Sequence, residues 1–401
     1  MNIVGIIAEY NPFHIGHAYH ILEAKRASGA EYTVVVMSGS VVQRGTFARH
    51  DLLLRTEMAL KGGADVVFLL PARFSCASAP DFAQGGISLL TATGVITHLS
   101  FGCEPETISL LKPLSKLLME EPPVFSDTFR KNINDGCSFP KSRALACEKA
   151  LGIPGLAEHM ESPNLTLALE YLRVLPKKVT PVPVIRAGAD YADCNLSKEF
   201  ASALAIRCAL EKDNRSLEEE KQLRMVLPFA EEIFKMETKG EIHKEEMLTP
   251  ALLYLLRTMD RTILSNIYGM DEGLEARFLD AARKVGTRDE LLSLVKTKRY
   301  TYTHLSRTCL NILLGITKEF AATYRKPTYL RLLGFRKKAA PLLHTIRKRA
   351  SLPIVAKCAD YDLSDPMFSL DLRARDLWSL GAKNPTARAA GMDFLQSPVI
   401  V

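Results

Sequence analysis

The sequence predicts an α/β fold, a parallel, doubly wound sheet to about residue 195 followed by a mainly α-helical remainder. Three observations carry this. Apolar, β-branched runs alternate with helical runs at the short spacing of βαβ units. Several of those runs stop at a glycine, as strands do where they open into ligand loops. From Ser197 onward the apolar spacing is helical and no convincing strand remains.

Asn2 to Ala8 is the first strand, apolar enough to be buried on both faces. Asn11-Pro12 forces a turn, and Ile15 to Ala27 follows as a helix with apolar residues at Ile15, Ala18, Tyr19 and Leu22. Tyr32 to Met37 is the second strand, ending in Ser38-Gly39, and Val41 to Ala48 reads as a loop before a helix from Asp51 to Lys61. Asp65 to Leu70 is the third strand, stopped by Pro71, and Asp81 to Ala92 is the next helix. Thr97 to Gly102 is the fourth strand, with a helix over Glu106 to Met119 behind it. Asn164 is placed to cap a helix over Leu165 to Val174, and Thr180 to Ile185, with two prolines, is a fifth strand at a sheet edge. Further helices are expected over Lys198 to Leu210, Leu217 to Met236, Leu248 to Tyr268, Leu274 to Val285, Arg288 to Val295 and Thr303 to Leu314. The division expected is a domain over 1–195 and a helical domain over 196–401.

With 401 residues and 47% hydrophobic content the chain can build conventional cores. No apolar run reaches the roughly 18 residues of a bilayer span, and no basic segment leads into a removable apolar core, so a cytoplasmic location is expected. The eight cysteines, at 76, 103, 137, 147, 194, 208, 309 and 358, form no C-x-x-C pair and read as reduced packing thiols. The net charge of +7 is unevenly spread: between Lys296 and Arg349 stand 14 Lys/Arg against Glu319 alone.

Chemistry is concentrated first in Tyr10-Asn11-Pro12-Phe13-His14-Ile15-Gly16-His17, an H-x-G-H sequence where strand gives way to helix. Free backbone N–H groups and the positive end of the helix dipole make such a point an anion site. His14 and His17 are three residues apart and can face one ligand, and Gly16 lets a nucleotide approach the backbone. Imidazole N–H donors there suit attack on the α-phosphate of a nucleoside triphosphate. Gly39 and Gly102, at strand ends on the same side, complete the outline of a nucleotide crevice, with Phe13, Asn11 and Asn164 able to contact base or sugar. Ser202 at a helix start and Arg207 five residues on resemble the second signature of nucleotidyltransferases, whose job would be to hold a departing pyrophosphate; taken alone, the same pattern would serve a small-residue packing helix with one surface arginine. Lys296-Thr297-Lys298-Arg299-Tyr300-Thr301-Tyr302 mixes cations with aromatic rings, the combination that grips RNA backbone and unpaired bases.

The chain resembles the tRNA(Met) cytidine acetate ligase (TmcAL-type) family of the H-x-G-H nucleotidyltransferase superfamily. The resemblance is carried by Glu9 to His17, Met37-Ser38-Gly39, Gln43-Arg44-Gly45, Phe101-Gly102, Pro163-Asn164, Ala201 to Arg207 and Thr297-Lys298-Arg299-Tyr300-Thr301. It implies a Rossmann-like (HUP-type) nucleotidyltransferase domain and an ATP-dependent ligase. The reaction it implies converts acetate to acetyl-adenylate and passes the acetyl group to N4 of the wobble cytidine of elongator tRNA(Met), giving N4-acetylcytidine. The family's nucleotide contacts fall on Ile7, Ala8, Glu9, Tyr10, Asn11, Pro12, Phe13, His14, Ile15, Gly16, His17, Ala18, Tyr19 and His20, and on Gly102, Asn164 and Arg186. His14, His17, Ser202 and Arg207 are the expected catalytic set, and Lys296, Lys298, Arg299 and Tyr300 the expected RNA contacts. Magnesium is expected with ATP, held by phosphate and water, with no protein metal site. Departures from the family pattern stand at Thr46-Phe47 (Glu-Pro in the family), Leu69 (Glu), Leu204 (Thr) and Ala187 to Ala192. The rival readings are a small-molecule adenylyltransferase and an RNA-binding protein with a regulatory nucleotide site.

Overall fold

The computed structural model describes residues 1–186, 196, 201–212, 214–271 and 273–401. Its centre is a sheet built from β1 (Ile3–Ala8), β2 (Tyr32–Ser38), β5 (Val66–Leu70), β6 (His98–Cys103) and β7 (Thr180–Ile185), with β3 (Val41–Val42) and β4 (Thr46–Phe47) forming a small hairpin beside it. The chain later adds β8 (Leu330–Phe335), β9 (Ile354–Val355) and β10 (Val399–Ile400). The strand order is β10-β8-β5-β2-β1-β6-β7, with β9 on β8. The five strands named as the centre, β1, β2, β5, β6 and β7, run parallel to one another. β7 closes one edge, where its prolines at 181 and 183 cost no inner ladder bond.

Alternation along these strands explains the double-sided core. Val34 and Val36 enter one buried cluster with Ile3 and Phe68, while Val35 and Met37 enter another with Val4, Ile6 and Val67. Helix α1 (Ile15–Ser28) covers the second face, as expected for the run from Ile15, and is closed by Gly29 in the left-handed conformation at φ 58°. Between β1 and its two neighbours the order reverses, β2 lying on one side and β6 on the other, which opens a crevice beyond their C-terminal ends.

The expectation that no strand follows Ser197 is corrected by β8, which pairs antiparallel with β5 and is buried at Leu330, Arg331, Leu332, Leu333 and Gly334. Its signal was broken by Arg331 and Gly334. Arg331 is neutralised by Asp393 at 2.9 Å, and Gly334 is needed because a Cβ would stand 2.6 Å from the Val399 carbonyl. The sheet therefore draws strands from both sides of residue 195. Val41 to Ala48, expected as a loop, carries the β3-β4 hairpin. The expected helix over Leu217 to Met236 is two helices, Leu217–Val226 and Ala230–Lys239, divided at Pro228. The cap expected of Asn164 belongs to Ser162, whose Oγ accepts from the Leu165 N–H at 3.3 Å. The helix expected from Lys198 starts at Ala203, with Ser202 as its cap, and runs to Glu211; residues 197–200 lie outside the described residues.

A third apolar cluster joins the helices between Leu252 and Ile312. Its helix Tyr302–Leu314 leans on the hairpin, and the fit is tight: a Cβ on Gly45 would stand 2.2 Å from the Arg307 nitrogen. Among the described residues no helix is long and apolar enough to cross a membrane.

Candidate functional site

The crevice is a cleft of about 980 Å³ at the C-terminal ends of β1, β6 and β7, at the upper end of the range for small-molecule sites. One wall is the turn from β1 into α1. Tyr10 takes a left-handed φ of 48°, buried against the edge of the His17 ring at 4.8 Å. Phe13 is fully buried and packs on Tyr10 and Phe229, where Gly62 leaves room for its ring. Phe13 therefore supports the turn from behind, a correction to its expected contact with base or sugar. Asn11 does line the cleft, but its Oδ1 already accepts from the Arg49 N–H at 2.9 Å and its carbonyl from Arg207 at 2.7 Å.

His14 is the N-cap of α1. Its Nδ1 accepts from the Gly16 N–H at 3.1 Å, and His17 Nδ1 accepts from the His14 N–H at 3.3 Å, a reciprocal cap made of two imidazoles. With Nδ1 committed as acceptor in each ring, a neutral imidazole carries its proton on Nε2. Both rings are neutral: burial, then Arg186 and Arg207, pull His14 down to about 3. Burial and the neighbouring His14 hold His17 well below the usual histidine range. The rings lie 3.8 Å apart. His20, on the same face, is drawn down to about 4 by burial and Arg186, and its Nε2 lies 3.0 Å from Ser100 Oγ.

These neutral rings make stability acid-sensitive. Their folded pKa values lie below the ordinary 6.5, so the unfolded chain binds more protons as pH falls. The stability they contribute is complete above about pH 6.5 and is lost as pH drops toward the folded values, at most about 2 kcal/mol per ring between pH 7 and 5. His243, buried and lowered to about 4, adds to this. Glu245, raised by burial to about 7, and Asp371, raised to about 6, act the other way and offset part. The expected result is a thermal midpoint that falls from pH 7 to pH 5; a midpoint that holds or rises contradicts it.

The second wall element gathers three expected residues through one that sequence reading missed. Asn164 Nδ2 donates to Glu104 Oε1 at 2.6 Å, and Arg186 lies 3.7 Å from the same oxygen. Gly102 is the residue over which Arg186 passes, since a Cβ there would sit 3.3 Å from Arg186 Cγ. Glu104 directly follows β6, and a polar residue at a strand's C-terminal end was the available signal.

Of the expected nucleotide contacts, Ile7, Ala8, Glu9, Tyr10, Asn11, His14, Gly16, His17, Tyr19, His20, Gly102, Asn164 and Arg186 line the cleft; Pro12, Phe13, Ile15 and Ala18 do not. Arg207 lines it too, whereas Ser202 is buried and caps its helix, Oγ accepting from the Ala205 N–H at 3.0 Å. Gly39 stands apart: the Arg55 guanidinium donates to its carbonyl, and it is no part of this wall.

The opposite wall brings Arg299 and Tyr300 into the cleft with Thr301, Thr303, His304 and Arg307, alongside Gln43 and Arg44 of the hairpin loop. Lys296 and Lys298 are exposed and lie off it. The basic run is not one face. Arg331 is buried on Asp393, while Arg336 and Lys338 approach Asp65, just before β5 and so at the N-terminal ends of the parallel strands, opposite the cleft. Of the departures from the expected pattern, Phe47 stacks on His243 at 4.5 Å, Leu69 is buried against Gly39, and Leu204 lines the cleft. Residues 187–192 lie outside the described residues.

The chain matches the HIGH Nucleotidyl Transferase family over residues 1–393. It is 36% identical over 405 residues to the tRNA(Met) cytidine acetate ligase of Thermoanaerobacter sp. (strain X514), covering 98% of both chains. To the protein of that name from Syntrophomonas wolfei it is 37% identical over 418 residues, covering 100% of this chain and 99% of that one. The crystal structure of Thermotoga maritima TmcAL bound with alpha-thio ATP superposes with a TM-score of 0.89 at 31% identity, over 100% of each chain.

Proposed function

The chain belongs to the HIGH nucleotidyl transferase family and, within it, to the tRNA(Met) cytidine acetate ligases, and from that membership we propose how its cleft couples ATP, acetate and tRNA(Met). It is an ATP-dependent ligase. A carboxylate oxygen of acetate attacks the α-phosphorus of ATP, the bond to the β-phosphate oxygen breaks, and pyrophosphate leaves. N4 of the wobble cytidine then attacks the acetyl carbon, the bond to the adenylate oxygen breaks, AMP leaves and the amine gives up a proton. Activation is needed because the N4 lone pair is delocalised into the ring. A mixed anhydride lowers the barrier that a free carboxylate presents.

The observation that supports this most is the pair of neutral, Nδ1-anchored histidines at the start of α1. Nε2–H groups held without conformational freedom are donors for charge that builds on the α-phosphate oxygens. Neutral rings also leave the phosphate's charge to be balanced by Arg186 and Arg207, on the neighbouring walls. Glu104 holds Asn164 and faces Arg186, so that both stay at the nucleotide. Ser202 enters this reading as the cap that fixes the helix bearing Arg207. Among the described residues no group of three or more His, Cys, Asp or Glu side chains is arranged to hold a metal. Magnesium would arrive on the triphosphate, held by phosphate and water.

Incubation with ATP, labelled acetate and bulk tRNA tests the reading. Label is expected in tRNA as N4-acetylcytidine, with AMP and pyrophosphate formed in step. Label absent from tRNA while a small acceptor becomes adenylylated would replace this reading with a small-molecule adenylyltransferase. Neutralising Lys296, Lys298 and Arg299 together should spare acetyl-adenylate formation, weaken tRNA binding, and flatten its log–log salt dependence by about 0.7 to 0.9 for each RNA phosphate left without its cation. An unchanged affinity and slope in a folded triple variant would leave those side chains as a solvated face.

A further inference from the structure

The two walls of the cleft are joined by a loop with no slack. The Gln43 N–H donates to Glu9 Oε1 at 2.8 Å, inside the turn that carries the histidines. The Gln43 carbonyl accepts from Arg307 at 3.3 Å, and the Gly45 carbonyl accepts from Ser306 Oγ at 2.7 Å. The Gly45 backbone touches that of Arg307 so closely that no side chain fits between them. The first turns of helix Tyr302–Leu314 are thus held in register with the nucleotide wall. On that wall Tyr300 and His304 stack at 5.2 Å and 24°, both half-buried and both lining the cleft.

We propose that this second wall receives the acceptor nucleobase, an unpaired pyrimidine swung out of its loop, with the Tyr300 and His304 rings as its stacking platform. The inference rests on the acetyl-transfer reading and names the place of its second step.

The platform is fixed at its edges. Tyr300 Oη donates to the Asp271 carbonyl at 2.9 Å, and His304 Nε2 lies 3.0 Å from the Gly269 carbonyl, where a neutral ring donates. Thr301 Oγ1 accepts from the His304 N–H at 3.2 Å and sets the helix start between the two rings. Burial and then Arg307 lower His304 from its ordinary range, so the stack offers rings without adding a positive charge. Cations stand beside it instead, Arg44 and Arg299, where the phosphates flanking a swung-out nucleotide would pass. A cleft of about 980 Å³ is more than a nucleotide and acetate demand, and the acceptor amine must share that space with the acetyl carbon. Stacking holds any base, so the platform positions the amine and leaves the choice of tRNA to contacts elsewhere.

The test separates the two steps. In Tyr300→Ala, single-turnover transfer from acetyl-adenylate to tRNA should slow by roughly 10- to 100-fold, the scale of one lost base stack. Acetate-dependent ATP–pyrophosphate exchange without tRNA should stay within about twofold of wild type. Tyr300→Phe, which keeps the ring and loses the hydroxyl that donates to the Asp271 carbonyl, should restore most of the transfer rate. His304→Ala provides the same readout should Tyr300→Ala not fold. Transfer at the wild-type rate in Tyr300→Ala overturns the proposal. A Phe variant as slow as the Ala variant also overturns it, because the hydroxyl and not the ring would then matter. A parallel fall in exchange does the same by placing the wall at the nucleotide. Failure of the wild-type protein to acetylate tRNA at all would instead count against the function itself.

Discussion

His14→Asn and His17→Ala should each lower turnover by roughly 10²- to 10³-fold, the loss seen when one donor to a developing oxyanion is removed. The choice of asparagine at 14 is deliberate. His14 is also the N-cap of α1, and alanine there would add about 1 kcal/mol of helix destabilisation to any catalytic effect. Asparagine caps as well as any residue and lacks the Nε2–H. Because the rings are neutral in the folded protein, they add little to the ground-state attraction of the triphosphate. ATP affinity should therefore change far less than the rate of acetyl-adenylate formation. The measurement is acetate-dependent pyrophosphate release under saturating ATP, together with equilibrium binding of ATP. Release within a few-fold of wild type in both variants would remove the histidines from the transition state.

Strands β1, β2 and β5 were legible because each is a mainly apolar, β-branched run, and their faces alternate into two clusters. The histidine turn was legible because its geometry depends on residues adjacent in sequence, which is also why Phe13 misled. An aromatic within a ligand motif looks like a base contact until Gly62 and Phe229 are seen closing over it. β8 was hidden by its own function in the fold, since a buried arginine paired with Asp393 reads as one more charge in a basic run. The same run looked like a single RNA-binding face, but its cations separate in space. Arg299 and Arg307 reach the cleft, and Arg336 and Lys338 serve Asp65 at the N-terminal ends of the parallel strands. Glu104 was missed for a different reason. Its place just after β6 was the one local signal, and what singles it out is a partner 60 positions away, Asn164.

Arg55→Met is expected to be among the most destabilising single changes around the sheet. Helix Leu52–Lys61 sends this side chain into the interior, where it is fully buried and donates to carbonyl groups of four residues. Nε reaches His50 at 3.2 Å, one terminal nitrogen reaches Glu9 at 2.8 Å and Ser38 at 3.0 Å, and the other reaches Gly39. Burial draws the guanidinium down to about 10, still far above neutral pH, so the charge is present and these are charge-assisted bonds. They gather the ends of β1 and β2, and with them the loop that leads to the hairpin. Methionine fills much of the volume but supplies no donor, so several buried carbonyls lose their partner and Asp51 loses a neighbouring cation. Such a change costs on the order of 4 kcal/mol or more, a large part of a domain's stability. Arg55→Lys, with a single point of donation, should recover only part of this. Chemical denaturation of both variants gives the measurement. A methionine variant within about 1 kcal/mol of wild type would show that water or a shifted backbone satisfies those carbonyls and that Arg55 is not what holds the strand ends together.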